Sequence, residues 1–237
     1  MTPGRNSPGG AGCVDRVPVL RSFLLAFGNP CGTQRSLIAA TDWLEDLAAR
    51  GWMGDRDPAS LRRRLPDDDA GWESFVLSTF DVGFPAPPVP LFETHYLKEG
   101  SVSGALHENI LYYRKFGCEL VKGDADGPDH LRRQLGFLLF LFWLEENPDS
   151  PPETVEGARF ARTEFIRRHL LNWVPKAAKA ARTKAHPLWE ALLTALSVWL
   201  AGTVAGGAAS REGPKAPPRE GAFREKGWRG KRSATTP

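Results

Sequence analysis

The sequence has little cysteine and none of the short motifs that mark the common enzyme classes. Its 237 residues include three cysteines, Cys13, Cys31 and Cys118, with no CxxC spacing. An odd and widely spaced set fits free thiols in a reducing compartment better than a disulfide framework. No GxGxxG, P-loop, GxSxG or HExxH pattern occurs, which argues against the usual dinucleotide, phosphate, acyl-transfer and zinc-protease sites. We therefore expect no enzymatic activity and no catalytic residues.

Strand signals are missing as well. There is no extended alternation of apolar and polar residues, no Asn-Gly hairpin turn, and no repeat at a solenoid period. Apolar residues recur instead at helical spacing, as in Leu37, Ala40, Trp43, Leu44 and Leu47. This pattern predicts an all-α protein with a single globular helical bundle domain.

The charge is unevenly distributed along the chain. The formal net charge is +3, but residues 206–237 carry eight Lys/Arg and three Glu, a net +5, so the other 205 residues are at −2. We expect a disordered stretch at 1–17, a helical domain at 18–205 and a basic disordered tail at 206–237. A basic tail can bind nucleic acid or anionic lipid, but Gly, Pro and Glu dilute this one. The interpretation that it is solvated predicts no nucleic-acid partner.

A membrane span has to be considered at Ala191–Ala209, nineteen residues without a charge that include Gly202-x-x-x-Gly206. The length would permit a transmembrane helix. The strongly apolar part ends near Val204, however, and a buried last helix of the domain fits better than integral membrane insertion. The first residues have no apolar core of the kind found in signal peptides, and we expect a cytoplasmic protein.

Metal binding is not expected either, because the five histidines are scattered. A helical carboxylate-bundle site needs Glu-x-x-His motifs on facing helices, whereas Glu164 and His169 are five residues apart. His169 and Trp173 are four apart, and we predict that they stack together in the core. Pro175 should kink the long helix predicted at 154–182 near Leu171, because it removes one backbone hydrogen bond.

Four segments, taken in order, resemble a known family. They are Arg21-Ser-Phe-Leu-Leu-Ala-Phe-Gly-Asn-Pro30, Pro90-Leu-Phe-Glu-Thr-His-Tyr-Leu97, Tyr113-x-x-Phe-Gly followed by Pro128-Asp-His-Leu-x-x-Gln-Leu-x-Phe-Leu138, and Phe165-x-x-x-His-Leu-x-x-Trp173. The set resembles the TorD/DmsD/NarJ family of cytoplasmic maturation chaperones for molybdenum enzymes. The resemblance implies a chaperone that binds the catalytic subunit of a molybdenum oxidoreductase and its twin-arginine signal peptide, has no cofactor of its own, and is a monomer or homodimer. The alternative is a non-catalytic scaffold subunit of a larger helical complex.

A signal peptide of this kind has a basic end and an apolar end. The hypothesis pairs the basic end with the carboxylates of Glu93, Asp126 and Asp129, together with Asp124, and places His130 beside them as a titratable donor. An apolar groove for the other end would be lined by Phe92, Tyr96, Phe116, Leu131 and Leu135. The predicted peptide-binding site comprises these residues.

Two points stay open in the sequence. Asp129 and His130 can simply cap the helix predicted to start at Pro128, with Asp126 or Gly127 before it. They can also contact the peptide, in which case replacing both should weaken binding more than stability. The proline-rich stretch from Phe84 to Pro90 is either a rigid linker or one wall of the groove, because four prolines exclude regular structure.

Overall fold

The computed structural model describes residues 16–120 and 126–209. In these ranges the chain is helical and contains no β-strand, which confirms the all-α prediction. The helices are α1 (Arg16–Ala26), α2 (Gly32–Ala40), α3 (Trp43–Ala49), α4 (Pro58–Arg62), α5 (Asp69–Phe80), α6 (Val102–Lys115), α7 (Leu131–Glu146), α8 (Pro152–Phe165), α9 (Leu171–Lys184) and α10 (Pro187–Ala209). A 3-10 turn at Glu93–Tyr96 precedes α6, and a π-helical turn at Ile166–Leu170 joins α8 to α9. The predictions for residues 1–15, 121–125 and 210–237, including Cys13 and Asp124, fall outside the described residues.

Helix starts follow ordinary capping chemistry. Asp57 accepts hydrogen bonds from the backbone N–H groups of Ala59 and Ser60, and Pro58 occupies the first position of α4. At α7 the capping residue is His130, whose ring accepts a hydrogen bond from the backbone N–H of Arg132. The prediction that this helix begins at Pro128 is therefore wrong by three residues.

Helix α10 forms the centre of the apolar core. It packs along α9, the π turn and α8, and its Trp189 is completely buried among aromatic rings. The nearest ring centroid is that of Phe80 at 4.7 Å, followed by Phe75 at 5.4 Å and Trp72 at 6.1 Å. Such pairs add roughly 0.5–1.5 kcal/mol each to the free energy of burying their area.

The same helix is long and apolar enough to cross a membrane. The stretch Pro187–Ala205 meets that test by length and composition, and it is the one stretch to do so among the described residues. Within its most apolar window, 67% is buried inside the domain. The structure thus places this segment in the protein core, as the buried-helix interpretation expected.

The predicted long helix at 154–182 is interrupted close to the expected point. The π turn ends at Leu170, directly before Leu171, and Pro175 lies inside α9. One extra residue in the turn changes which side chains meet. His169 lies against Phe165 and Tyr112 at 4.8 and 5.7 Å, whereas Trp173 stacks on Tyr96 at 5.6 Å. Both residues are buried, but the predicted stacking of His169 on Trp173 is wrong.

Candidate functional site

Two of the sequence motifs meet in space at the start of α7. Phe92 and His130 form an isolated antiparallel bridge. The Glu93 N–H donates to the Asp129 carbonyl at 3.1 Å, and the Leu131 N–H donates to the Leu91 carbonyl at 2.8 Å. We call residues 91–96 and 126–131 the loop–helix junction. Its backbone is held by main-chain hydrogen bonds, so its side chains are fixed relative to one another.

Asp129 and His130 are both buried in this junction, each with 3% of its surface exposed. The Asp129 carboxylate accepts hydrogen bonds from the backbone N–H and the hydroxyl of Thr94, at 3.0 and 2.7 Å. The His130 ring lies edge-on to Phe92 at 4.7 Å and caps α7 through Nδ1. His130 thus caps the helix, and Asp129 holds the 3-10 turn at the helix start; contact of either residue with a peptide stays a prediction.

Burial controls the protonation of His130. Desolvation lowers its pKa to about 4, against an opposing contribution from Asp126. The ring is therefore neutral at pH 7, and a neutral Nδ1 can accept the capping hydrogen bond from Arg132. In this environment His130 does not serve as a positively charged donor.

Asp126 is also engaged within the chain. Its carboxylate accepts a hydrogen bond from Arg132 Nη2 at 2.6 Å, and its carbonyl accepts one from Arg133 Nη2 at 2.8 Å. Arg132 in turn donates to the side chain of Asn29, in the loop after α1. Asp126 and Asp129, which were predicted to bind a basic peptide, thus already have hydrogen-bond partners within the domain.

Glu93 lies deeper, at the centre of a buried polar network. Its carboxylate accepts from Gln134 Nε2 at 2.6 Å and from Asn109 Nδ2 at 3.0 Å, and lies 3.0 Å from His169 Nδ1. The Trp173 indole donates to Gln134 Oε1 at 3.0 Å. The side chains of Glu93, Gln134, Asn109 and His169 are each no more than 2% exposed. The network ties the 3-10 turn to α6, α7 and the π turn.

The apolar members of the predicted site divide into two groups. Phe92, Tyr96 and Phe116 are half-buried and present part of their rings at the surface. Leu131 and Leu135 are completely buried. These two leucines form part of the core beneath the junction and do not line an open groove, because neither side chain reaches the surface.

An open groove does occur beside the junction, between the end of α6 and the outer face of α7. It encloses about 240 Å³ and is lined by Tyr113, Leu120, Arg133, Gly136, Phe137 and Phe140, with Cys118 and Glu119. A second hollow of about 350 Å³ continues from it along α6. At Gly136 an added Cβ would meet no atom of residues 16–120 or 126–209 within 4 Å, so these residues leave the floor of the groove open there. Sequence reasoning missed this groove, although Gly136 in an otherwise bulky apolar helix marks its position.

The proline-rich stretch is anchored at one end only. Val89 is completely buried and its N–H donates to the Thr79 carbonyl at 3.0 Å, whereas Phe84 is completely exposed. A Cβ on Gly83 would lie 2.5 Å from the Ala86 carbonyl oxygen, so the turn requires glycine there. In the structure this segment is a fixed connection that leads into the junction; whether it is also a groove wall stays a prediction.

Comparison with known proteins shows a partial similarity. Residues 67–179 match the family model described as nitrate reductase delta subunit. Three similar proteins are the selenate reductase assembly chaperone protein of Thauera selenatis, the perchlorate reductase assembly chaperone protein of Dechloromonas aromatica (strain RCB) and the chlorate reductase assembly chaperone protein of Ideonella dechloratans. The identities are 31% over 130 residues, 25% over 114 and 29% over 119. Over these residues the chain is similar to reductase assembly chaperones.

The alignments cover about half of this chain and less than two thirds of each relative. The shares are 55%, 48% and 50% of this chain, and 62%, 51% and 58% of the respective relatives. No solved structure matches the chain significantly. The matched residues 67–179 nevertheless contain the whole junction and all of the Glu93 network. The matched region is thus the region that holds these side chains together.

The similar proteins are named as assembly chaperones, which agrees with the expectation that the chain is not an enzyme. Within residues 16–120 and 126–209, no group of three or more His, Cys, Asp or Glu side chains is placed to hold a metal ion. The sequence signal for the missed network was the placement of polar residues, Asn109 and Gln134, on helix faces that are otherwise apolar.

Proposed function

We propose that this protein is a cytoplasmic chaperone for the maturation of a molybdenum-containing oxidoreductase, whose catalytic subunit it binds before cofactor insertion and export. The observation that supports the proposal is the match of residues 67–179, which contain the entire junction, to the family described as nitrate reductase delta subunit, together with the similarity to proteins named as reductase assembly chaperones. The three similar proteins are named for selenate, perchlorate and chlorate reductases. The client is therefore proposed to be an oxyanion reductase of that kind.

The proposed contact with the client is its twin-arginine signal peptide. The apolar part of such a peptide fits the groove between α6 and α7, where Phe116, Phe137 and Phe140 offer aromatic surface next to the open floor at Gly136. Burial of apolar surface gives roughly 25 cal/mol per Å², enough for a short helix or extended segment to bind measurably. Phe92 and Tyr96 remain proposed as further peptide contacts at the junction.

The basic part of the peptide is proposed to bind Asp126. Glu93 and Asp129 are buried and hydrogen-bonded, so an arginine side chain would have to displace interior contacts to reach either. Asp126 has 17% of its side chain exposed and is paired with Arg132, which has 24% exposed. A peptide guanidinium would take over the position of Arg132, exchanging one charge-assisted pair for another.

The general proposal is tested by co-purification. The chain is expressed with the catalytic subunit of a candidate oxyanion reductase, in forms with and without the signal peptide. We expect capture of the precursor, weaker capture without the signal, and no chaperone in the mature, cofactor-loaded enzyme. A scaffold subunit would instead remain at fixed stoichiometry in the finished enzyme, and no capture of either form would refute the proposal.

The role of Asp126 is tested with a synthetic signal peptide and three variants of the full chain. D126N removes the proposed acceptor and should weaken binding roughly ten- to a hundredfold, the usual size for a charge-assisted hydrogen bond. R132Q removes the competitor and should leave binding equal or tighter. E99Q, at an exposed residue beyond the junction, serves as the matched control. Equal affinity of D126N and E99Q would show that the basic end binds elsewhere.

A further inference from the structure

An acidic surface with exposed aromatic side chains lies at the turn between α7 and α8. Residues 145–156 contain five carboxylates, Glu145, Glu146, Asp149, Glu153 and Glu156, and no Lys or Arg. The Glu145 side chain is 7% exposed and is paired with Arg162 at 2.5 Å and with Arg159 at 3.7 Å. The other four are exposed, and no ion pair within the described part of the chain involves them. This surface, which we call the acidic turn, therefore carries an unneutralised charge of −4.

Two large apolar side chains flank this turn. Trp143, in the last turn of α7, is 55% exposed, and Phe160, on α8, is 54% exposed. The Trp143 ring stacks on Phe140 at 5.9 Å with an interplanar angle of 20°, so it is held in place while its outer face remains open. An aromatic face beside carboxylates suits a segment with basic and aromatic residues, through ion pairing and cation–π contact.

Helix α10 packs against α8, the helix that follows this turn. A two-residue connection at 185–186 makes α10 antiparallel to α9. Its 23 residues exceed the 14 of α9 and the 5 of the π turn combined, and it contacts α8 beyond them. Trp199, ten residues before the end of α10, is 6.3 Å from Phe142 near the end of α7. By its length, the antiparallel α10 therefore ends near the level of the C-terminal half of α8, roughly two or three helical turns from Glu153.

The chemistry of residues 210–237 complements the acidic turn. This segment has eight Lys/Arg and three Glu, a net charge of +5, and it includes Phe223 and Trp228 among its basic residues. Its 28 residues can reach about 90 Å when extended, far more than the two or three helical turns that separate the level of Ala209 from Glu153. Single exposed ion pairs are weak, but a tether holds the segment at an effective concentration of roughly millimolar.

We propose that residues 210–237 dock on the acidic turn of the same chain, with their basic residues on Glu146, Asp149, Glu153 and Glu156 and an aromatic residue against Trp143 or Phe160. The occupant is this segment, because it combines the opposite charge, the aromatic residues and a covalent origin on the adjoining helix. This docking is independent of the proposed chaperone function and uses a different surface from the loop–helix junction.

Zero-length carbodiimide cross-linking of the full chain, mapped by mass spectrometry, tests the location. Lys215, Lys226 and Lys231 should couple mainly to carboxylates of the acidic turn at 50 mM salt, and several-fold less at 500 mM, where screening is strong. A mixture of ¹⁴N- and ¹⁵N-labelled protein identifies the chain that supplies each partner. Coupling between differently labelled copies would overturn docking within one chain, and so would coupling spread evenly over all exposed carboxylates.

Limited trypsin digestion supplies a readout that does not use the carboxylates chemically. Cleavage after Arg211, Arg219 and Arg224 should be at least threefold faster in the variant E146Q/D149N/E153Q/E156Q than in the parent. The matched control neutralises four exposed carboxylates on other surfaces, D46N, D55N, E73Q and E99Q, and should cleave like the parent. Unchanged helical circular dichroism shows that both variants fold. Equal cleavage rates in all three proteins would overturn the proposal.

Discussion

Replacement of Glu93 gives the sharpest test of the buried network. E93A removes the acceptor for Gln134 Nε2 and Asn109 Nδ2 and the partner of His169 Nδ1, at distances of 2.6, 3.0 and 3.0 Å. Glu93 is 2% exposed and His169 1%, so water cannot replace the lost carboxylate without opening the core. Breaking a buried pair by removing one partner costs about 3–5 kcal/mol. That is a large part of the roughly 5–15 kcal/mol that stabilises a domain.

Urea unfolding at pH 7, followed by far-UV circular dichroism, measures this effect. With an m-value of about 2 kcal/mol/M, the E93A midpoint should fall by roughly 1.5–2.5 M. E93Q keeps one carbonyl oxygen as an acceptor, but its NH2 group would face groups that are themselves donors. Its free energy of unfolding should therefore fall by less, about 1–3 kcal/mol. The control is E99A, at an exposed position, which should stay within about 0.5 kcal/mol of the parent. If E93A unfolds at the same urea concentration as E99A, the network does not stabilise the fold, and the peptide-binding role predicted for Glu93 becomes the better account.

Three further predictions follow from the same contacts. His130 has a folded-state pKa of about 4, against an ordinary value of 6.5, so the unfolded chain takes up the proton first as the pH falls. The free energy of unfolding should therefore decrease by up to about 3 kcal/mol between pH 6.5 and pH 4. H130N should flatten that part of the stability–pH curve, and an unchanged curve would refute the prediction. R162M should lower the free energy of unfolding by about 3–5 kcal/mol because it removes Arg162, the close ion-pair partner of the Glu145 carboxylate. Adding E145Q should recover part of that loss in a double-mutant cycle. F84S, at a fully exposed ring, should leave the urea midpoint unchanged, whereas L91A, at 3% exposure, should cost about 2–5 kcal/mol; similar losses for both would contradict the assigned burial.

The structure also revises the expectation for Asp129 and His130. Replacing both with Ala was expected to affect binding more than stability, on the assumption of an exposed helix cap worth about 1 kcal/mol. Both side chains are in fact buried, and Asp129 holds two donors of Thr94. Their removal should therefore destabilise the domain by more than a cap. Their contribution to peptide binding can be measured only in variants that remain folded.

The sequence by itself determined the fold class and most of the organisation of the domain. Helical periodicity, the proline-rich break before the 3-10 turn, the interruption ahead of Leu171 and the buried character of α10 all follow from patterns within about twenty residues of chain. Such patterns are readable because a helix places residues three and four apart on one face, whatever surrounds it. The order of the four motifs was likewise enough to indicate the similarity to reductase assembly chaperones.

Only the tertiary structure decided which polar side chains meet. Glu93 contacts His169 across 76 residues of sequence and Gln134 across 41, and Phe92 pairs with His130 across the whole of α6. The choice between a surface carboxylate and a buried one depends on how the helices pack around it, because a buried polar group is tolerated only where partners from other elements satisfy it. Local patterns carry no information on those partners. The sequence could thus name Glu93, Asp129 and His130, but the packing placed them inside the domain.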